Sequence, residues 1–379
     1  MTPMQIRLGE MPPECEVLRQ EVRAFLRDTL EGFPVAERAK SWQNNSREFS
    51  RKLGARGWLG MTWPKQFGGQ GRSPLERYVV IEELLAAGAP VGYHWISERQ
   101  SGPLLIRYAP DTLAPKLVPL IAKGELGFCA GLSEPDSGSD LASIRTKAKK
   151  VAGGWEITGR KVWTSRAHDC EYMIALVRTG EKSEDRHAGL SQFLVDIKLP
   201  GLEVHPIRTQ LGTHTFNEVV LDAVFVPDEC LIGVEGQGWA QVLNELKHER
   251  SGPERFLSST QLFQQMIKLT DLRRESQTEI VGRIFSKYLA LRSMSQGIAL
   301  MMASGEDPAV QASLIKDQGA VMEQSIPQLA SDYFAEHGRT DPAFVEAIDY
   351  LTVAAPSFSL RGGTREILRG IIARGLGLR

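Results

Sequence analysis

The chain has 379 residues, 42% of them apolar and 24% charged, with a formal net charge of −1. That length holds two or three domains, and the near-neutral balance excludes a global basic field of the kind that binds nucleic acid. Cys15, Cys129, Cys170 and Cys230 lie far apart with no CxxC pair, so neither a zinc site nor a disulfide framework is indicated and no metal is expected.

The opening MTPMQIRLGEMPPECEVLRQ has no long apolar run after a basic start, which is not the pattern of a signal peptide. No stretch approaches the ~20 apolar residues of a membrane span, so a cytoplasmic protein without membrane association is expected. Residues 14–125 read as helices and loops: Val17, Leu18, Val22, Phe25 and Leu26 form a stripe at helical spacing. Ser73 and Pro74 give a cap and first-turn pair for a second helix. Between them GWLGMTWPKQFGGQG, residues 57–71, is loop-like.

The pattern changes near residue 128. GWEITGRKVWTS, EYMIALVRTG, SQFLVDI and NEVVLDAVFVP are short, β-branched runs with Gly or polar breaks. They predict a small barrel or sandwich. Helical periods return after VPDECLIGVEGQG and run to the end. The predicted fold is α+β, with an N-terminal helical domain over 1–126, a central β domain over 127–228 and a C-terminal helical domain over 229–379. Near the end Gly362 and Gly363 stand side by side before a helix carrying Ile367, Ile371 and Ile372, which suggests a turn with exposed N–H groups.

There is no GxGxxG after a strand, no GxxxxGK[ST], no GxSxG and no HExxH. The informative stretch is GFCAGLSEPDSGSDLASIRTKAKK, residues 127–150, which crowds Ser133, Asp136, Ser137, Gly138, Ser139 and Asp140 into one loop. Alone it would be a polar turn. Downstream, TGRKVWTSRAHDCEYMIAL sets Trp163 beside the hydroxyls of Thr164 and Ser165.

Together the two resemble the acyl-CoA dehydrogenase family, whose members carry a T-E-P-x-x-G-S-D loop and then a W-[IT]-[TS] strand. The stretches at 57–71, 224–239 and 362–377 look like family segments in the family's order. The resemblance implies an N-terminal helical domain, a central β domain and a C-terminal four-helix bundle with bound FAD. It implies cofactor contacts at Leu132, Ser133, Gly138, Trp163, Thr164, Ser165, Gly363, Thr364 and Glu366. Ser133 and Ser165 would bond the isoalloxazine ring, and Ser139 and Arg250 would serve the acyl-CoA substrate.

Family chemistry is α,β-dehydrogenation of an acyl thioester, which needs a carboxylate base and hydrogen bonds to the developing enolate oxygen. Many members carry the base in Tyr-Glu-Gly-Thr; the matching Arg361-Gly362-Gly363-Thr364 has none. Gly362 would keep the oxyanion contact through its N–H. A minority of members carry the base on the first bundle helix, and that position falls on Glu249, where Trp239, Val242, Leu246 and Glu249 step by three or four. Pro253 should kink this helix, with Glu254 beyond it as the competing base. The alternative for Glu249 is a surface ion pair. The family's Arg-x-x-Phe-Gly element is missing from KLTDLRRESQTEIVGRIF, with Arg273 or Arg274 as candidate substitutes. A homo-dimer or homotetramer passing electrons to an electron-transfer flavoprotein is the main expectation. A hetero-tetramer needing a partner chain, an acyl-CoA oxidase and an acyl-carrier-protein dehydrogenase are the alternatives.

Overall fold

The computed structural model describes residues 4–181, 184–249, 252–338 and 340–378, with the side chains of 246–249 and 335–337 outside the description. Six helices come first: α1 (Pro13–Thr29), α2 (Val35–Ala39), α3 (Arg47–Ala55), α4 (Pro74–Ala86), α5 (Gly102–Tyr108) and α6 (Ala114–Ala122). Eight strands follow: β1 (Phe128–Gly131), β2 (Lys147–Val151), β3 (Gly154–Ser165), β4 (Tyr172–Arg178), β5 (Leu190–Asp196), β6 (Leu202–Arg208), β7 (His214–Pro227) and β8 (Leu231–Ile232). The chain closes with α7 (Gly238–Glu249), α8 (Thr260–Leu269), α9 (Glu275–Ala303), α10 (Ala309–Gly338), α11 (Pro342–Ala354) and α12 (Arg365–Gly375). This is the expected α+β order of helices, strands and helices. It forms two compact units, one of Met1–Asn45, Arg72–Val91 and Glu249–Arg379, the other of Ser46–Gly71 and Gly92–His248.

In the first unit, α4 begins as its sequence predicts. Ser73 Oγ accepts from the Glu76 N–H and Glu76 returns a carboxylate to the Ser73 N–H at 2.9 Å, a reciprocal cap. α1 buries Cys15, Leu18, Val22, Phe25 and Leu26. Val17, expected on that stripe, is 62% exposed: it lies about 100° around the helix from Leu18, and Cys15 takes its place. Cys15 packs with Leu75, Tyr78, Val79 and Ala299, joining α1, α4 and α9. Arg19 is buried against Glu82 at 2.7 Å and against Glu83, and Arg292 of α9 reaches Glu82 at 2.7 Å.

The second unit is built on one mixed sheet in the order β6-β7-β3-β2-β4-β5-β8, with β1 paired to β4. β4 pairs parallel with β1 and antiparallel with β5, is buried along nearly its whole length, and reads as a continuous apolar run. One core lies within the sheet around Trp155, Met173, Phe193 and Val219. A second lies where Leu104, Leu117 and Ile121 of α5 and α6 cover Phe128, Ile174 and Leu194. β2 and β6 escape the sequence pattern because KAKKV is mostly charged and exposed, and β6 is an edge strand carrying Pro206. Glu171 locks this unit's helical segments to the sheet, accepting from Arg47 at 2.5 Å, Tyr93 at 2.9 Å and the Gly127 N–H at 2.7 Å.

Candidate active site

In the second unit the fold brings the two sequence motifs together. The Ser133 carbonyl accepts the Val162 N–H at 2.9 Å, so the SEPDSGSD loop and the β3 strand touch directly. Beneath that junction lies a buried ion pair. Lys161 Nζ is 2.8 Å from Glu134 Oε1 and also donates to the Leu132 carbonyl at 3.2 Å. Glu134 further accepts the N–H groups of Arg145 at 2.6 Å and Thr146 at 2.9 Å. Desolvation pulls Lys161 down to about 8 even with Glu134 beside it. Desolvation pushes Glu134 the other way, but Lys161 and the N–H donors outweigh it and its pKa is lowered. Neither residue was expected in the site. The signal was present in the acidic second position of the loop motif, but its cation could be found only through the strand pairing.

Trp163 departs from regular strand geometry. The β3–β7 register slips between Lys161 and Thr164, and Trp163 takes φ 59. That bulge turns its indole outward to 59% exposure, edge-on to Phe216 at 6.0 Å. The next residue is turned in: Thr164 is fully buried and its hydroxyl makes no hydrogen bond. Ser133 and Ser165 are half-buried. A large exposed aromatic flanked by half-buried hydroxyls suits a flat, hydrogen-bonding ring system such as a flavin. Leu132 packs with Ile144, Leu176, Leu190 and Val242. Gly138 and Ser139 are exposed, and a Cβ at Gly138 would meet open space. Neighbouring Asp140 bonds Ser143 at 2.6 Å and pairs with Arg186.

Helix α7 runs to Glu249, with Gln241, Val242 and Glu245 buried. Gln192 donates to Glu245 at 2.8 Å and Gln241 to the Ile232 carbonyl at 2.7 Å. Trp239 stacks on His187 at 4.3 Å. The side chains of Leu246 and Glu249, and all of Arg250, lie outside the described residues. The kink expected at Pro253 does not form. The described helix stops at Glu249, and Pro253 opens a separate 3-10 turn through Arg255, because a ring without an N–H starts a turn more readily than it continues a helix. Glu254 is therefore not on α7. It is 1% exposed, with Arg255 3.5 Å away.

In the first unit the double glycine forms the turn its sequence suggests, with φ 65 at Gly362 and 97 at Gly363. A side chain at either position would sit in the left-handed region that glycine alone occupies freely. Helix α10 holds the turn from outside. Lys316, itself buried, donates to the Gly363 carbonyl at 2.6 Å. Buried Asp317 takes Arg365 at 2.7 Å, and buried Glu323 takes Arg361 at 3.0 Å. The Arg361 guanidinium also bonds Ser258 at 2.5 Å and lies 4.7 Å over Trp42 and 4.5 Å over Phe358. Burial pushes the Glu323 carboxyl up despite Arg361. Thr364 is the N-cap residue of α12. Glu366 is exposed in its first turn, its carboxyl held down by its own N–H and the Thr364 hydroxyl. Arg273 is an exposed surface residue paired with Asp271 at 2.9 Å, and Arg274 precedes α9 as its N-cap. No group of three metal-ligating side chains occurs among the described residues, and no helix there is long and apolar enough to cross a membrane.

Two family models match the chain: the acyl-CoA dehydrogenase N-terminal domain over residues 12–125 and the middle domain over 129–224. The chain is 32% identical to the Mycobacterium tuberculosis acyl-CoA dehydrogenase IpdE1, covering 96% of this chain and 98% of that one. It is 33% identical to FadE34 of the same organism over 98% of its own length but only 50% of FadE34's. Among solved structures it resembles the complex described as the Tcur3481-Tcur3483 steroid ACAD, with a TM-score of 0.88 and 27% identity over 99% of this chain and 100% of that one. The ChsE4-ChsE5 complex from Mycobacterium tuberculosis gives 0.84 and 28% over 99% and 100%.

Proposed function

The chain belongs to the acyl-CoA dehydrogenase family, an oxidoreductase family that uses FAD; on that premise we propose that it converts an acyl-CoA thioester to the 2-enoyl-CoA with Glu249 as the base. In this reading the Glu249 carboxylate removes the α-proton. The Gly362 N–H receives the thioester oxygen as negative charge develops on it. FAD, when bound, supplies the acceptor for the β-hydrogen. Leu132, Ser133, Gly138 and the Trp163–Ser165 segment would hold the flavin, with Gly363, Thr364 and Glu366 contributing from the start of α12. Ser139 and Arg250 would contact the coenzyme A portion.

The observation that carries the base assignment is the Gly362–Gly363 turn. Both residues are in left-handed geometry, so the motif that bears a glutamate in many relatives offers backbone alone. A carboxylate must then come from elsewhere, and the end of α7 is where a minority of the family keeps it.

A second reading concerns assembly: the chain acts beside a partner chain that completes its flavin contacts. Two similar structures are two-protein complexes. The Phe-Gly element is absent, and Arg273 engages Asp271 at the surface. The likeness to a complex described as a steroid ACAD favours a ring-bearing acyl group as substrate. A cytoplasmic location and an electron-transfer flavoprotein as acceptor complete the proposal.

The test is anaerobic titration of the purified chain with straight, branched and steroid-ring acyl-CoAs. Bleaching of a yellow preparation supports the dehydrogenase. Flavin gained only on co-expression with a second family member establishes the mixed assembly. Rapid peroxide formation in air would replace the dehydrogenase reading with an oxidase. A flavin-loaded protein that no acyl-CoA bleaches would remove the activity altogether.

A further inference from the structure

Asn217 lies on β7, fully buried, opposite Thr164 of β3. Its Nδ2 donates to the Thr164 carbonyl at 2.9 Å. A carbonyl oxygen can only accept, so this bond fixes which end of the amide faces β3 and turns Oδ1 the other way. Two imidazoles meet that oxygen: His168 Nδ1 at 3.0 Å and His214 Nε2 at 2.7 Å. Oδ1 is an acceptor, so both nitrogens must carry hydrogen. His168 is thereby assigned the Nδ1–H form and His214 the Nε2–H form. The two rings stack at 3.8 Å, 24° from parallel.

The segment held in this way is strained. Trp163 and Arg166, at either end of Thr164–Ser165, take φ 59 and 58. Left-handed backbone at non-glycine residues persists only where the surroundings over-determine it. The Arg166 N–H reaches the Thr215 carbonyl at 2.8 Å, and the Asn217 amide supplies the side-chain tie.

We propose that Asn217, backed by His168 and His214, is a positioning residue that holds Trp163–Ser165 in the bulged shape that receives the flavin. The proposal rests on the flavin reading of that segment. Around the cluster, Asp169 lies 3.2 Å from His168 Nε2 and pairs with Arg166 at 3.3 Å. Burial holds the His168 pKa below the usual imidazole value; protonating it would add a donor toward Asp169 and leave its Nδ1–H on Asn217. The Asn217 contact therefore survives a change in the charge of His168.

The test uses the full chain and measures FAD dissociation constant, visible flavin spectrum and amide hydrogen exchange across residues 161–168. Asn217→Leu and His214→Leu should each weaken FAD by about tenfold, shift the flavin band and speed exchange at Thr164–Arg166. His214→Gln, whose amide N–H stands in for Nε2–H, should match the wild type. Leucine variants that match the wild type in all three readouts would overturn the proposal, as would a glutamine variant that loses as much as leucine. If Asn217→Leu fails to fold, the two His214 variants decide. If the wild type takes up no FAD either alone or co-expressed with a second family member, the flavin reading fails by itself, and exchange at Thr164–Arg166 in the leucine variants still decides the clamp: faster supports it, unchanged removes it.

Discussion

Lys161 and Glu134 stand 27 residues apart in the chain and 2.8 Å apart in the fold, both buried. The pair is the physical link between a loop motif and a strand motif that only a resemblance could join in sequence. A buried ion pair is weak support for stability by itself, because desolvation offsets the attraction. Its consequence here is geometric: Glu134 can keep its three donors only if the loop stays against β3.

Lys161→Met should therefore do more harm than removing one surface lysine. It leaves Glu134 charged and buried with only backbone donors, at a cost of roughly 3–5 kcal/mol. Urea unfolding should show that loss. Lys161→Met combined with Glu134→Gln should recover part of it, and a double variant no better than the single would mean the pair is not coupled.

Glu249→Gln should retain FAD yet slow flavin reduction by acyl-CoA by about 10²–10⁴-fold, the usual contribution of a general base. Stopped-flow absorbance under anaerobic conditions reads both. Glu254→Gln is expected to leave reduction near wild type, since Glu254 is buried beside Arg255 in a separate turn. The reverse pattern would move the base to Glu254.

Arg361→Leu should destabilise the first unit by roughly 3–5 kcal/mol, because it strands Glu323 without its cation. The double variant Arg361→Leu with Glu323→Leu should be less damaging than the single. Thermal unfolding of the four proteins of the cycle checks it. Additive losses would show that Arg361 acts through its other contacts, with Ser258, Trp42 and Phe358.

His94 sets an acid limit for the second unit. It is buried against Ser50 Oγ at 2.8 Å, and desolvation drops its pKa from 6.5 to about 4 despite nearby Glu98. The unfolded chain binds the proton at a higher pH than the folded one. Stability from this group is thus intact above about pH 6.5 and declines as pH falls toward 4. Between pH 7 and 5 the loss is about 2 kcal/mol. His94→Gln should flatten that part of the pH–stability profile; an unchanged acid slope would assign it to other groups.

Much of the fold could be read locally. Ser73, Pro74 and Glu76 announce α4 through a cap that needs no tertiary partner. The apolar alternation of β3, β4, β5 and β7 marks the sheet, and Gly362–Gly363 mark their own turn. What escaped depends on distant partners. β2 is a charged strand made regular by pairing with β3. Lys161 and Arg361 look like surface cations until the carboxylates that receive them come into view. Val17 faces solvent because it lies well over 100° around the helix from the middle of the stripe that Leu18, Val22, Phe25 and Leu26 define. Pro253 was read as an interruption inside a helix when it starts a new turn.

The glycine turn has one more implication. The two glycines have no side chains to grip the protein, so the side chains that hold the stretch come in part from Lys316, Asp317 and Glu323, which lie within two turns of one helix. Those three positions are about 10 Å from end to end along α10. A change that rotates or slides that helix would shift the contacts to the Gly363 carbonyl, Arg361 and Arg365 without altering the turn's own sequence. Variation in how relatives set this turn should be sought some forty residues upstream of it, in the helix that serves as its mounting.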